Sequence, residues 1–206
     1  MTTPDAPTDP TQRAPRLNIR GARRHDQIIE AATEAFLERG FDAVSLDEIL
    51  RVSGGSKTNI YRQFGNKEGL FAEVVRRLAA EFLSPLAALD LGDTAPAPGL
   101  AILGRTLMRQ LMQPRHIAFQ RMVMAVSGRL PGQMAAWYRV GPQASQAAIA
   151  AFLGDTTDAK RRAILFHDMI VTDAVNHALM GQPPAWPEIE ARIDNAAALI
   201  GGAVRG

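Results

Sequence analysis

The chain has 206 residues and no cysteine, with 23 Lys+Arg against 21 Asp+Glu and a net charge of +2. This excludes disulfide stapling, cysteine-ligated metal and a uniformly basic nucleic-acid coat, and it leaves room for one or two packed domains. No apolar run approaches the ~20 residues of a membrane-spanning helix, and the N-terminus lacks the apolar stretch of a secretory signal, so a cytoplasmic location is expected.

Residues 1–22 are rich in Pro and Thr and poor in apolar side chains, and they read as a disordered arm. From Arg13 to Arg24 five arginines occur with no acid, which suits either a solubilising tail or an arm that meets phosphates. A first helix is predicted from about Arg24 to Arg39, with Ile28, Ala32, Ala35 and Phe36 on one face and Gly40 beyond its end. A second opens at Ser45, where Ser45 and Glu48 have capping-box spacing, and stops at Gly54-Gly55. A third, short helix follows Ser56 and ends before Gly65; Asn66 caps a fourth. The stretch 91–100 is a loop, and the rest is helical with breaks, including one at Gly141-Pro142. A long helix reaches Met180, and a last one, opened by Pro187, reaches about Val204. No period-2 strand stands out, so the expected class is all-α with about nine helices. An N-terminal three-helix unit would precede a larger helical domain.

Two short helices joined by a glycine turn, with a longer helix before them, have the plan of a helix-turn-helix. At about 100° per residue, Ile60 and Phe64 point to the core, while Thr58, Asn59 and Arg62 point away and Lys57 and Tyr61 flank them. That exposed face suits DNA: Arg62 can pair with guanine or a phosphate, Asn59 with adenine, and the Thr58 methyl with thymine. Lys67, at the start of the fourth helix, suits a phosphate. Charge is sorted accordingly. Arg51 to Lys67 holds four cations and no acid, whereas Asp26 to Glu48 holds seven acids and one cation, Arg39.

Residues 24–71 resemble the N-terminal domain of TetR-type transcriptional regulators. The resemblance rests on Ile28-Ile29-Glu30-Ala31-Ala32, Phe36, Gly40-Phe41, Ser45-Leu46-Asp47-Glu48-Ile49 and above all SKTNIYRQFGNKEGLF (56–71). It implies a homodimer on a palindromic double-stranded operator, usually a repressor released by a small ligand. It carries DNA contact onto Ser45, Lys57, Thr58, Asn59, Tyr61, Arg62 and Lys67, and Arg23 and Arg24 of the basic run are added as candidates. Gly55 and Leu50 depart from the valine and alanine common in the family. The domains would then be 1–22 (arm), 23–68 (DNA binding) and 69–206 (ligand binding and dimerisation). Phe119-Gln120-Arg121-Met122-Val123, Leu130-Pro131, Trp137-Tyr138 and Gly141-Pro142 more weakly resemble the C-terminal domain of the AefR-like subgroup.

Seven of the eight methionines lie after residue 100. A methionine at helical spacing is more often packed core than adaptable pocket lining. With the aromatic residues they give a candidate apolar pocket of Met108, Met112, Phe119, Met122, Trp137, Tyr138, Phe166 and Met169, with Arg121 and His167 as polar anchors and Gln110, His116, Gln120 and Asn176 as further polar groups. Arg121 could meet an anionic ligand or pair with Asp168 or Asp173. His167, Asp168, Asp173 and His177 lack metal-ligand spacing, and no cofactor or catalytic motif occurs, so no metal, cofactor or enzyme activity is expected. Ala163, Phe166, Ile170, Ala174 and His177, with Ile189, Ile193, Ala196, Ala197 and Ile200, form the expected dimer face of the last two helices, or else pack within the chain. A small-molecule carrier or enzyme, and an activator, are the alternative readings.

Overall fold

The computed structural model describes residues 19–202. Most of the expected arm, including Arg13 and Arg16, lies outside them. Among the described residues there are ten helices and no strand. They are α1 (Ile19–Ala43), α2 (Leu46–Ser53), α3 (Lys57–Phe64), α4 (Lys67–Ala87), α5 (Pro96–Leu111), α6 (Pro114–Val126), α7 (Pro131–Val140), α8 (Pro142–Phe152), α9 (Thr157–Leu179) and α10 (Trp186–Gly202). The break expected at Gly141-Pro142 separates α7 from α8. Residues 19–22, assigned above to the arm, are helical, and the backbone of Gly40 (φ 78°, ψ 167°) is non-helical, so the regular helix of α1 breaks at Gly40 as expected.

Local chemistry sets the first four helices. Ser45 accepts from the Glu48 amide (3.2 Å) while Glu48 accepts from the Ser45 amide (2.7 Å), so both halves of the capping box form. Ser56 accepts from the Asn59 amide (3.3 Å) and Asn66 from the Gly69 amide (2.8 Å). Arg39 donates to Glu48 at 2.9 Å. Together the Ser45 amide and Arg39 hold the Glu48 carboxyl at about 2, well below the usual glutamate value.

The buried residues form two cores. The first joins Ile28, Phe36, Phe41, Ile49, Ile60 and Phe71 to Phe119, Met122, Val123 and Val126 of α6, with Trp137 of α7 packed against it. The second joins Leu100, Leu107, Met108, Ile149, Phe166, Ile170 and Ile193, from α5 and α8–α10. Helix α4 supplies both: Leu70 to Phe82 enter the first core and Leu86 the second. Ion pairs tie both ends of α6 to α1. Arg115 meets Glu34 at 2.9 Å, and Arg129, just past the helix, grips Asp42 through both guanidinium nitrogens (2.6 and 2.5 Å). The seam between these two cores therefore falls within residues 69–206.

The face of α9 and α10 expected to dimerise is used inside the chain. Ala163, Phe166, Ile170 and Ala174, with Ile189, Ile193, Ala196, Ala197 and Ile200, are all at most 7% exposed. An apolar stripe at helical spacing is consumed first by the chain's own core. His177 is exposed and pairs with Asp173 at 3.5 Å. The large apolar side chains left outside on these helices are Ile164, Leu165, Met169, Met180 and Leu199. No helix among the described residues is long and apolar enough to cross a membrane.

Candidate nucleic-acid interface and ligand cavity

Helix α3 packs through Ile60, which is fully buried, and through Phe64, which is half-buried and stacks on the His25 ring at 5.1 Å. That fixes the opposite face outward: Lys57, Thr58, Tyr61 and Arg62 are exposed. Arg24, Gly55, Ser56, Thr58, Asn59 and Arg62 line one open groove. Arg24 reaches it from α1 because two glycines form the turn. A Cβ on Gly54 would stand 2.9 Å from the Arg24 guanidinium, and Gly55 has φ 113°. Valine, common in the family at Gly55, would be strained at this φ.

The groove's polar groups are preset. Asn59 accepts from Arg62 (2.8 Å) and from Gln63 (3.0 Å), so its carbonyl oxygen is engaged and its amide hydrogens remain to donate. Asn59 thus splints Arg62, and pairing with adenine through both groups would break these bonds. The lysines are held too. Lys57 lies 2.9 Å from Asp47, whose carboxylate raises its pKa, and Lys67 sits over the Phe41 ring at 4.4 Å. Ser45 is exposed beside its own cap, and Arg23 is exposed on α1 outside the groove lining. The structure brings Arg24, Thr58, Asn59 and Arg62 to one groove, with Lys57 and Tyr61 exposed on the same helix.

A second concavity of about 260 Å³ lies between the two cores. Phe82, Phe119 and Trp137 wall it from the first core side, and Leu107, Leu111 and Val175 from the second. Tyr138 and Met124, both partly exposed, stand at its edge. Of the ten ligand residues expected, Phe119, Trp137, Tyr138 and His167 line it. Met108, Met112, Met122, Phe166, Met169 and Arg121 do not. Met108 and Phe166 are fully buried in the second core, Met112 packs against it, and Met122 belongs to the first. Met169 faces outward at 38% exposure. Arg121 donates to the carbonyl oxygens of Ala178 (3.3 Å) and Leu179 (3.2 Å), where it satisfies the end of α9.

Of the polar groups expected, His116, Gln120, His167 and Asn176 line the wall and Gln110 does not; Ser145, Gln146, Asp168 and Thr172 join them. His116 is 4% exposed, with Phe82 4.6 Å and Phe119 5.7 Å from its ring centre, both edge-on. Its Nε2 meets the Gln120 amide nitrogen at 3.1 Å, and its Nδ1 has no partner among the described residues. Burial lowers its pKa to about 4. Burial also lowers that of His167, against the opposing pull of Asp168. His116, named above among the further polar groups, is the buried polar side chain that α6 gives to the wall.

Burial of neutral His116 makes an acid-sensitive fold. The unfolded ring titrates near 6.5 and the folded one near 4, so the unfolded chain binds more protons between these values. The contribution is complete above pH 6.5 and falls as pH drops toward 4, by roughly 3 kcal/mol. Urea titrations at pH 7 and pH 4.5 should show this loss. His116→Phe should flatten most of the slope, and an unchanged slope would assign acid sensitivity elsewhere.

Comparison with known proteins gives the family. Residues 28–74 match the model for bacterial regulatory proteins of the tetR family, and residues 98–201 match the AefR-like transcriptional repressor C-terminal domain. The chain is 33% identical over 79 residues to the HTH-type transcriptional regulator AlkX of Mycobacterium tuberculosis, covering 38% of this chain and 37% of that protein. With the regulator RutR of Escherichia coli it shares 38% identity over 69 residues, 34% of this chain and 32% of that one. The chain thus spans about a third of the length of the curated relatives it matches. Whole-chain likeness comes from solved structures. A putative TetR-family regulator from Mesorhizobium loti aligns over 89% of this chain and 98% of its own at 27% identity and TM-score 0.74. The Flavonoid-responsive Regulator FrrA aligns over 90% and 100% at 26% identity and TM-score 0.77. The chain belongs to the tetR family of bacterial regulatory proteins, with a C-terminal domain of the AefR-like repressor type.

Proposed function

We propose that the protein is a homodimeric repressor, not an enzyme, that binds a palindromic DNA operator in the cytoplasm and is released by a small, largely apolar effector. Residues 23–68 read DNA, and residues 69–206 bind the effector and the second subunit through α9 and α10. The observation that carries the reading is that the effector cavity straddles two cores, one of which includes the DNA-reading helices. A ligand that fits a wider seam better than a narrow one favours the state with spread cores. Helix α6 carries cavity residues and is ion-paired to α1 at both ends, so movement at the seam shifts the recognition helix. The flavonoid-responsive relative supports an aromatic effector, as do Phe82, Phe119, Trp137 and Tyr138 on the wall.

The test is selection of genomic fragments by the purified full chain, followed by sequencing. The expected product is an inverted repeat whose half-sites lie about one helical turn, ~34 Å, apart or a multiple of it. Failure to enrich any sequence above non-specific DNA at low salt would sink the proposal.

A further inference from the structure

We infer that the effector cavity selects an uncharged aromatic compound carrying a carbonyl oxygen, and that His116 is the residue that recognises that oxygen. This rests on the effector reading above and deepens it.

The charge selection follows from the wall. No lysine or arginine is among its residues, and Arg121, the arginine expected as an anchor, is turned to the end of α9. Both imidazoles on the wall are at most 6% exposed, and burial favours their neutral forms. An anionic ligand would leave water without any compensating cation, a cost of several kcal/mol or more. A cation fares no better. The one acid, Asp168, is an exposed carboxylate at the margin and already accepts from His167 Nδ1 at 3.0 Å. What remains is aromatic surface with scattered neutral donors and acceptors, which holds a neutral ring system well.

The carbonyl follows from His116. A neutral imidazole has one N–H and one acceptor nitrogen. The Gln120 amide nitrogen donates to Nε2, which places the ring's single proton on Nδ1. That buried donor has no partner among the described residues. A buried unsatisfied donor costs about 1–3 kcal/mol, and an acceptor brought against the ring recovers it. A carbonyl accepts without bringing a hydrogen that needs a partner of its own. Phe82 and Phe119 pack against the imidazole at 87° and 65° and hold the ring in place; Nδ1 is closed off here, and the wider seam of the effector-bound state would open it to the carbonyl.

The experiment is isothermal titration of the purified protein with four compounds of one shape: benzophenone, diphenylmethane, 4-benzoylbenzoate and (4-benzoylbenzyl)trimethylammonium. Benzophenone is expected to bind about tenfold tighter than diphenylmethane, and the two charged compounds about tenfold or more weaker than benzophenone. His116→Phe should bring benzophenone and diphenylmethane to within twofold of each other, with a thermal melt showing the variant folded. Gln120→Leu, which frees the ring to hold its proton on either nitrogen, should narrow the gap partly. Equal binding of benzophenone and diphenylmethane to the unaltered protein overturns the role of His116 without any variant. Tight binding of either charged compound overturns the charge selection. Binding of none of the four overturns the cavity as an effector site, and this inference with it.

Discussion

Replacing Arg62 with alanine is expected to lower operator affinity on the order of a thousandfold, with no change in helix content. Arg62 is exposed on α3, lines the groove with Arg24, Thr58 and Asn59, and is held in place by its bond to Asn59. A fixed guanidinium loses less freedom on binding than a free one, so more of its interaction energy reaches the complex. Losing one such contact costs about 1–3 kcal/mol. A dimer loses it twice, so about 4 kcal/mol is removed, and 1.4 kcal/mol is a factor of ten. The two possible contacts differ in their signatures. If Arg62 grips guanine, the variant relaxes preference at one position of each half-site. If it grips a phosphate, affinity falls uniformly and the salt slope drops by about one per contact. Titration of a labelled operator at three salt concentrations, with single-base variants, separates them. Retained affinity in the variant would remove Arg62 from the interface. Lys67→Ala should cost less, because its ammonium already rests on the Phe41 ring.

The helices that carry the candidate interface are legible in the sequence because their signals are local. Ser45 with Glu48, Ser56 and Asn66 each satisfy amides within three residues of themselves, so spacing alone determines where α2, α3 and α4 begin. Ile60 then determines which face of α3 is buried. What spacing did not reveal was Arg24 crossing the Gly54-Gly55 turn, or Asp47 holding Lys57, because those contacts join separate elements. The cavity was harder for the same reason. Met108 and Phe119 look alike in sequence, each apolar on an apolar helix. Only the packing of α5 against α10, and of α6 against α4, sends Met108 to the core and Phe119 to the seam. Arg121 was misread because an arginine among apolar neighbours has a second outlet, the unsatisfied carbonyls of a helix end. The stripe on α9 and α10 leaves a dimer face and intrachain packing both open in the sequence, because periodicity reports burial without saying which partner does the burying; here the chain itself does.

That last point gives the second large effect. Leu165→Glu is expected to convert the protein from a dimer to a monomer of 22.3 kDa and to lower operator affinity at least a hundredfold. Once the periodic faces of α9 and α10 are used inside the chain, the apolar side chains left over are the informative ones. Leu165 is 50% exposed, Ile164 44%, Met169 38% and Leu199 64%. Isolated exposed apolar residues are ordinary, but several on the two helices that close the fold are what a partner would cover. Near a two-fold axis one substitution acts twice, placing two carboxylates in a surface that would otherwise be dry. Loss of the dimer unlinks two half-site contacts that bind as one, and that link alone supplies a factor of about 10² or more. Sedimentation should show the mass halved. The monomer should still titrate benzophenone, because the cavity wall is drawn from a single chain. Leu199→Glu should act in the same direction. A variant at Leu165 that stays dimeric at micromolar concentration would place the contact on another face. One that becomes monomeric yet keeps full operator affinity would mean that the two half-sites are not read together.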